Sequence, residues 1–240
     1  ERIFHAAESG VIEGYGPNAT SPVLSVNDMR DRGFRIGTVG KLLENTEIKI
    51  ADDGEICAKG PQVMMGYYKD AEKTAEVMKD GYFHTGDIGE IDADGFLKIT
   101  DRKKEMFKTS GGKYVAPQLL ENRFKQSLFI EQLMIVGEGE KMPAALIQPD
   151  FEYLYKWAKD NNITISENSD IVLNEKVLAK FQEEVDMANE SFAKWEKVKQ
   201  FRLTPDIWSI SEGHLTPTMK LRRKIIKGKY INLYNDIYGH

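Results

Sequence analysis

The stretch that decides the fold of this chain is residues 82–113, which read YFHTGDIGEIDADGFLKITDRKKEMFKTSGGK. An acid beside a glycine, Gly86-Asp87, is interpreted as a tight turn. Apolar residues alternate on both sides of residues 92–95 (DADG), which predicts a β-hairpin. A charged run at residues 101–105 and a glycine pair, Gly111-Gly112, follow. A charged run by itself is typical of a solvated loop, so its interpretation depends on what flanks it.

Composition limits the class of protein. With 240 residues, two domains are expected, and 41% hydrophobic with 30% charged residues is ordinary for a globular protein with a core. A net charge of -5 gives no sign of a nucleic-acid partner. Cys57 is the only cysteine, so an internal disulfide and a cysteine-cluster metal site are excluded. No apolar run approaches the roughly 20 residues of a membrane span, and we expect a reducing, cytoplasmic setting.

Upstream of the deciding stretch the pattern is mainly β. Residues 14–18 (GYGPN) are interpreted as a loop because glycine and proline recur so closely. Residues 47–51 and 55–59 alternate around an Asp-Asp-Gly turn, which predicts a hairpin with Cys57 on a strand. Residues 70–79 are predicted to form a short helix with Asp70 as its N-cap. Residues 1–102 therefore predict a small antiparallel barrel or twisted sheet that ends a larger domain.

Downstream of Arg102 the pattern becomes mixed, which predicts an α+β chain with a second domain at residues 103–240. Short strands are predicted around the glycine pair, at residues 105–109 and 113–116, and buried strands at 133–136 and 144–147. Helices are predicted at residues 117–126, 151–161, 174–195 and 221–238. The last of these carries a basic face of Arg222, Arg223, Lys224, Lys227 and Lys229.

Several short motifs, each weak alone, occur in one order along the chain. They are Gly14-Tyr15-Gly16, Gly54-Glu55-Ile56, Gly60-Pro61, Gly66-Tyr67-Tyr68, residues 83–87 (FHTGD), residues 101–105 (DRKKE), residues 110–117 (SGGKYVAP) and residues 215–220 (LTPTMK). In this order they resemble the adenylate-forming acyl-CoA synthetases, most closely the bacterial long-chain fatty acid:CoA ligases. The resemblance covers the whole chain but only the carboxy-terminal part of such an enzyme, and the chain starts without Met, so we expect a piece of a longer protein.

The resemblance implies a two-step reaction that uses ATP, Mg²⁺ and CoA. A fatty-acid carboxylate attacks the α-phosphate of ATP to give an acyl-adenylate, and the CoA thiol then displaces AMP. Both steps build negative charge that cations and donors must stabilise. The fatty acid also implies peripheral membrane association through the substrate. Because the family's phosphate loop and acyl tunnel lie upstream, we expect no catalysis from these 240 residues alone.

The resemblance also assigns residues to the nucleotide. Asp87 is expected to accept hydrogen bonds from both ribose hydroxyls, and Arg102 to support the ribose or phosphate region. Tyr15 is expected to stack on adenine, with Gly16 and Asn18 beside the nucleotide. The alternatives to these roles are that Asp87 is a turn aspartate, Arg102 a surface arginine and Tyr15 a packed loop aromatic.

The carboxy-terminal part is expected to supply the mobile groups. By the resemblance, Lys220 is the catalytic lysine that contacts the acyl carboxylate and α-phosphate during adenylation, and Lys104 is the hinge of the small domain. Gly111 and Gly112 then meet the pantetheine thiol, where a narrow tunnel needs small residues. The cations after Lys220 are either surface residues or contacts to CoA phosphates. His84 and His214 are interpreted as positional.

One position departs from the family pattern. Where the family continues Leu-Thr-Glu after Gly-Tyr-Gly, this chain has Pro17-Asn18-Ala19. A methyl group cannot replace a carboxylate on Mg²⁺. This departure keeps open a nucleotide-binding or structural relative that has lost ligase activity. A separate alternative keeps the enzyme but changes the acceptor, with acyl-adenylate transfer to a carrier protein.

Overall fold

A computed structural model describes residues 11–30, 33–165 and 167–240. The chain divides between Lys104 and Glu105 into two compact units, which we call unit 1 and unit 2. The division falls two residues after the expected domain boundary. Each unit combines strands and helices, in agreement with the α+β prediction. In the described part of the chain, no helix has both the length and the apolar character needed to cross a bilayer.

Unit 1 is built on two antiparallel sheets. Its strands, β1 to β8 in chain order, are Gly14–Tyr15, Ser25–Val26, Lys41–Leu42, Glu47–Ile50, Glu55–Lys59, Met78–Lys79, Tyr82–Ile91 and Leu97–Arg102. The helix α1 covers Ala71–Val77, and one turn of 3₁₀ helix covers Asn18–Thr20. Strands β1, β2 and β3 form one sheet, and β4, β5, β6, β7 and β8 form the other.

Both predicted hairpins of unit 1 are confirmed. Strands β4 and β5 pair across the Asp-Asp-Gly turn, and β7 and β8 pair across the Asp-Ala-Asp-Gly turn. Asp70 caps α1 as predicted, because its carboxylate accepts the backbone N–H of Lys73. The predicted helix is shorter than expected, since residues 78–79 leave it and pair with β7.

Two predictions in unit 1 are wrong. Gly86-Asp87 does not form a turn between elements but lies inside the ten-residue strand β7. The pairing register of β7 shifts here, and Gly86 has a φ of +74°, so the pair forms a bulge that bends the strand. The segment that starts at Gly14 is not purely a loop either, because Gly14–Tyr15 pairs with β2 as a short strand.

Unit 2 has a mixed sheet covered by helices. Its strands, β9 to β13, are Phe107–Lys108, Tyr114–Val115, Ile130–Val136, Ala144–Pro149 and Gln200–Leu203. Its helices, α2 to α7, are Pro117–Phe124, Phe151–Asp160, Asn168–Ile171, Glu175–Asn189, Arg223–Lys229 and Ile231–Tyr238. Strands β11 and β12 are antiparallel, whereas β13 runs parallel to β12 on its other side.

The two faces of the β11–β12–β13 sheet bury two separate cores. Neighbouring side chains on a strand point to opposite faces, so Leu133 and Ile135 enter one cluster while Met134 and Val136 enter the other. Helices α2, α3 and α5 cover the first face, and α6 and α7 cover the second. Burial on both faces explains why residues 133–136 of β11 and 144–147 of β12 are continuously apolar rather than alternating.

Two helix predictions in unit 2 are wrong in extent. The helix predicted at residues 174–195 ends at Asn189. The Asn189 side-chain amide donates to the Val198 carbonyl and accepts the Val198 N–H, and these two bonds hold the chain where it turns back. The helix predicted at 221–238 starts later and is broken at Tyr230, which separates α6 from α7. Tyr230 is held away from helical geometry because its hydroxyl donates to Asp206 and its ring stacks on Trp208.

Candidate functional site

Unit 1 brings together three of the residues assigned to the nucleotide. The Tyr15 hydroxyl donates to Asp87 Oδ2 at 2.7 Å. Arg102 Nε lies 3.0 Å from Asp87 Oδ1. The Asp87 side chain is only 6% exposed, whereas that of Arg102 is 56% exposed. We call these three residues the carboxylate cluster.

The strands explain this convergence. Asp87 and Arg102 are direct partners in the β7–β8 ladder, and Tyr15 reaches the same place from β1. Burial raises the pKa of Tyr15, and its hydrogen bond to the Asp87 carboxylate raises it further, so the phenol stays protonated and donates. A carboxylate offers about four lone-pair sites. Two are occupied, so Asp87 retains acceptor capacity for further donors such as the two hydroxyls of a ribose.

The contact made by Tyr15 differs from the one expected. Its expected role was a stack on adenine, but its hydroxyl orients Asp87. The stack itself stays a prediction. Gly16 packs so closely against the backbone of Pro22 that an added Cβ would lie 1.7 Å from the Pro22 carbonyl oxygen. Its lack of a side chain is therefore required by the local fold.

The segment after Gly16 carries no carboxylate. Asn18 is exposed and opens the 3₁₀ turn, and the Ala19 carbonyl accepts the N–H of Met64 at 2.7 Å. Ala19 thus helps to join this turn to the loop after β5, but its side chain cannot coordinate a cation. The residues of this segment do not fit the Mg²⁺ ligand set that the family pattern implies.

Lys220 lies in unit 2, at the point where a short loop closes on Thr216. The Thr216 N–H donates to the Lys220 carbonyl at 2.8 Å, and the Lys220 N–H donates to Thr216 Oγ1 at 3.0 Å. The flanking residues Leu215 and Leu221 form an isolated antiparallel β-bridge. Met219 has a φ of +60°, which completes the reversal. The loop holds the Lys220 backbone firmly while its side chain stays exposed.

The glycine pair also lies in unit 2, at the turn between β9 and β10. Thr109 N–H donates to Lys113 O at 2.9 Å, and Gly112, with a φ of +74°, closes the turn. Gly111 has no such constraint, because an added Cβ would meet only Thr109 Oγ1, at 3.9 Å. The fold therefore requires glycine at 112 but not at 111.

Glu55, which the sequence analysis did not assign to the site, contacts the bulge that carries Asp87. Its Oε1 accepts the Gly86 N–H at 3.0 Å, and its Oε2 lies 2.8 Å from both His84 Nδ1 and Lys103 Nζ. Burial raises the pKa of Glu55, but the bonds from Lys103, His84 and Gly86 outweigh it, so the pKa is lowered. Glu55 thereby fixes the bulge that presents Asp87. Its place on a motif in an alternating strand was the only available signal, because its partners lie 29 to 48 residues away.

Glu55 also belongs to a group that could supply metal ligands. One atom each of Glu55, Cys57 and His84 lies within 4.8 Å of the others. The Lys103 ammonium already pairs with Glu55 Oε2, and burial together with the nearby Glu55 charge raises the pKa of the Cys57 thiol. A metal needs that thiol as thiolate. The group therefore suits an ion pair better than a metal.

Arg223 was interpreted as a surface cation or a CoA contact, and that interpretation is wrong. Its two terminal nitrogens donate to the two oxygens of Glu121, both at 2.8 Å, and it also bonds Glu105. Glu121 is buried and accepts the Ile135 N–H as well. Arg222 and Lys224, in contrast, are exposed.

Comparison with known proteins places these features in context. The model of the AMP-binding enzyme family matches residues 1–68, and the model of the AMP-binding enzyme C-terminal domain matches residues 105–239. The chain is 36% identical over 238 residues to the long-chain-fatty-acid–CoA ligase FadD15 of Mycobacterium tuberculosis, covering 99% of this chain and 39% of that protein. It is also 36% identical over 242 residues to human long-chain-fatty-acid–CoA ligase 1, covering 95% and 34%. The chain thus spans between a third and two fifths of the length of these two curated relatives.

Solved structures agree on the fold. The adenylation domain of a carboxylate reductase from Mycobacterium chelonae superposes with a TM-score of 0.75 at 21% identity, covering all of this chain and 36% of that one. The o-succinylbenzoate CoA synthetase of Bacillus subtilis, in complex with its acyl-adenylate intermediate, gives a TM-score of 0.70 at 22% identity, covering 94% and 43%.

Proposed function

Because this chain belongs to the AMP-binding enzyme family, we propose that it is the carboxy-terminal part of a long-chain fatty acid:CoA ligase. The observation that carries the proposal is the carboxylate cluster, in which a nearly buried Asp87 is held by Tyr15 and Arg102. The relatives at 36% identity, both long-chain-fatty-acid–CoA ligases by name, support the choice of fatty acid and CoA as substrates.

Asp87 binds the nucleotide in this proposal. Its free acceptor sites take the two ribose hydroxyls of ATP, while Tyr15 and Arg102 fix the plane of the carboxylate. Orientation of this kind lowers the barrier because the α-phosphate is presented to the attacking carboxylate without further ordering. The Arg102 side chain is 56% exposed, so its terminal guanidinium nitrogens can donate to a phosphate while Nε keeps its contact with Asp87.

Lys220 acts in the first half-reaction. The fatty-acid oxygen attacks the α-phosphorus, the bond to pyrophosphate breaks, and the lysine ammonium stabilises the charge that gathers on the phosphate and carboxylate oxygens. Its exposed side chain on a rigid loop suits a group that must enter and leave the site. In the second half-reaction the CoA sulfur attacks the acyl carbon and AMP leaves. Rotation at Lys104 brings the turn of Gly111 and Gly112 toward the pantetheine arm.

Ala19 favours a second candidate, a nucleotide-binding relative without ligase activity. No carboxylate stands at this position to hold Mg²⁺ against the phosphates. The metal, when present, would neutralise phosphate charge, and this chain would have to leave its coordination to ATP and water. The Ala19→Glu variant separates the two candidates, because it should raise activity only if the missing ligand limits the reaction.

The deciding experiment uses the full-length protein with ATP, Mg²⁺, long-chain fatty acids and CoA. Formation of AMP, pyrophosphate and acyl-CoA supports the ligase. Formation of acyl-adenylate without acyl-CoA, followed by transfer of the acyl group to a carrier protein, would favour a carrier protein over CoA as the acceptor. Absence of pyrophosphate release from the parent protein with every fatty acid contradicts the proposal and favours the second candidate, and rescue in the Ala19→Glu variant would then assign the loss to the missing Mg²⁺ ligand. Asp87→Asn is the companion variant, and it should weaken ATP binding while leaving the fold intact.

A further inference from the structure

The turn of residues 103–105 links the two units, and the residue on each side of Lys104 is tied to its own unit. On the unit 1 side, Lys103 Nζ lies 2.7 Å from Asp53 Oδ2 and 2.8 Å from Glu55 Oε2. Its backbone N–H also donates to the Gly86 carbonyl at 2.9 Å. Lys103 is thus held by two carboxylates and by the bulge that carries Asp87.

The Lys103 contacts form a network rather than an isolated surface pair. Glu55 is 6% exposed in its side chain and is itself fixed by the Gly86 N–H and by His84. The hydrogen bonds that Lys103 donates to Asp53 and Glu55 raise the pKa of Lys103, and the bond to Asp53 lowers the pKa of that carboxyl. Single exposed pairs contribute little, but a shared cation on a fixed, buried carboxylate holds its position.

Glu105 is tied to unit 2 in the same way. Its Oε2 accepts Gln118 Nε2 at 2.8 Å and Arg223 Nη2 at 3.2 Å. Arg223 is fixed in turn by its paired bonds to the buried Glu121. Arg223 follows Lys220 by three residues, so Glu105 is joined through one side chain to the base of the Lys220 loop.

Lys104 differs from both neighbours. Within the described ranges, its exposed side chain takes part in no hydrogen bond or ion pair. We propose that Lys103 and Glu105 are positioning residues that hold the chain to unit 1 and unit 2, respectively, so that rotation between the units is confined to the backbone of Lys104. This inference rests on the proposed function, in which such a rotation separates the two half-reactions.

The confinement has a mechanistic consequence. A hinge needs only a few residues that absorb a change in φ and ψ. When both flanking residues are fixed, a change at one residue leads to defined orientations of unit 2, and Lys220 arrives at a defined place. When either attachment is lost, the change in φ and ψ spreads over the neighbouring residues of the turn. Lys220 is then misplaced, and a displacement of about 1 Å can cost on the order of 100-fold in rate.

The first test measures amide hydrogen exchange in the full-length protein, independently of activity. Lys103→Met removes the charge and keeps the length. Lys98→Met is the matched control, since the Lys98 side chain is about as exposed and, among the described residues, its ion pair is with the exposed Glu90. We expect exchange at the amide of residue 103 to become about tenfold faster in Lys103→Met alone. An unchanged rate there, or an equal rise throughout unit 1, would overturn the proposal.

The second test measures the two half-reactions separately in the full-length protein. Pyrophosphate release reports adenylation, and thioester formation from supplied acyl-adenylate reports transfer. Lys103→Met and Glu105→Gln should change the ratio of the two rates about tenfold, while Glu90→Gln leaves it as in the parent. Lys103→Arg should restore most of the ratio. Equal loss in both half-reactions would refute the positioning role. If the parent protein releases no pyrophosphate, the proposed function fails, and the exchange experiment alone decides whether the attachments exist.

Discussion

Replacing Arg223 by Met should destabilise unit 2 strongly. The change leaves Glu121, which is buried and 6% exposed, without its two charged donors. Breaking a buried pair in this way costs about 3–5 kcal/mol. The lower end applies here, because the Arg223 side chain is 26% exposed and water can partly replace it. We therefore expect a loss of about 3 kcal/mol in the free energy of unfolding at neutral pH.

Urea unfolding followed by tryptophan fluorescence measures this loss selectively. All three tryptophans, Trp157, Trp195 and Trp208, lie in unit 2, so the signal reports this unit. With a denaturant dependence of about 1.5 kcal/mol per molar, the midpoint should fall by about 2 M. The exposed neighbour Lys224, changed to Met, is the control and should shift it little.

A second substitution tests the reason for the loss. Glu121→Gln keeps an oxygen for the Ile135 N–H but removes the charge, so the double variant with Arg223→Met should recover much of the stability. Burial raises the pKa of Glu121 above its unfolded value, so the protonated carboxyl is favoured in the folded state. The deficit of Arg223→Met should therefore shrink as the pH falls toward the unfolded pKa. A midpoint shift under about 0.5 M, or a double variant no better than the single one, would refute this reasoning.

Other expectations follow from the same contacts. Gly112→Ala should lower the free energy of unfolding, measured in urea, by about 1–2 kcal/mol because residue 112 has a positive φ. Gly111→Ala should leave the free energy of unfolding unchanged. In the full-length protein, Gly111→Ala should slow thioester formation and no other step. Because the folded pKa of Glu55 is lowered, its stabilising contribution is present above the unfolded pKa and is lost as pH falls through the folded one. Glu55→Gln should therefore flatten the acid limb of the stability profile; a limb as steep as in the parent would contradict this. Cys57 is buried, and its thiol pKa is raised, so its reaction with a disulfide reagent should be slow in the native chain and fast in urea. Rapid native labelling would argue against that packing.

Local chemistry made part of the fold predictable. The hairpins of unit 1 follow from turn residues that lie within a few positions of the strands they join. Asp70 caps its helix through a bond to Lys73, three residues away. The Pro117 helix start and the buried β11 and β12 follow from similarly local patterns. The α+β class could therefore be predicted.

Non-local contacts explain what could not be predicted. Strand β13 is short, and its partner β12 lies more than 50 residues earlier, so no local period revealed it. The last helix breaks at Tyr230 because of contacts with Trp208 and Asp206, which its own apolar spacing cannot show. In the site, residues 15, 87 and 102 were named through the resemblance, but their mutual bonds, and the role of Glu55, required the folded strands.

The parallel pairing of β13 with β12 has a consequence for synthesis of the chain. Strand β12 emerges from the ribosome before residues 200–203 do, so it waits with an unpaired edge while α3, α4 and α5 emerge. Exposed apolar edges of this kind invite pairing with other chains. Chains truncated between residues 149 and 200 should therefore aggregate, and folding of unit 2 should be slow for its size because this contact spans so much sequence.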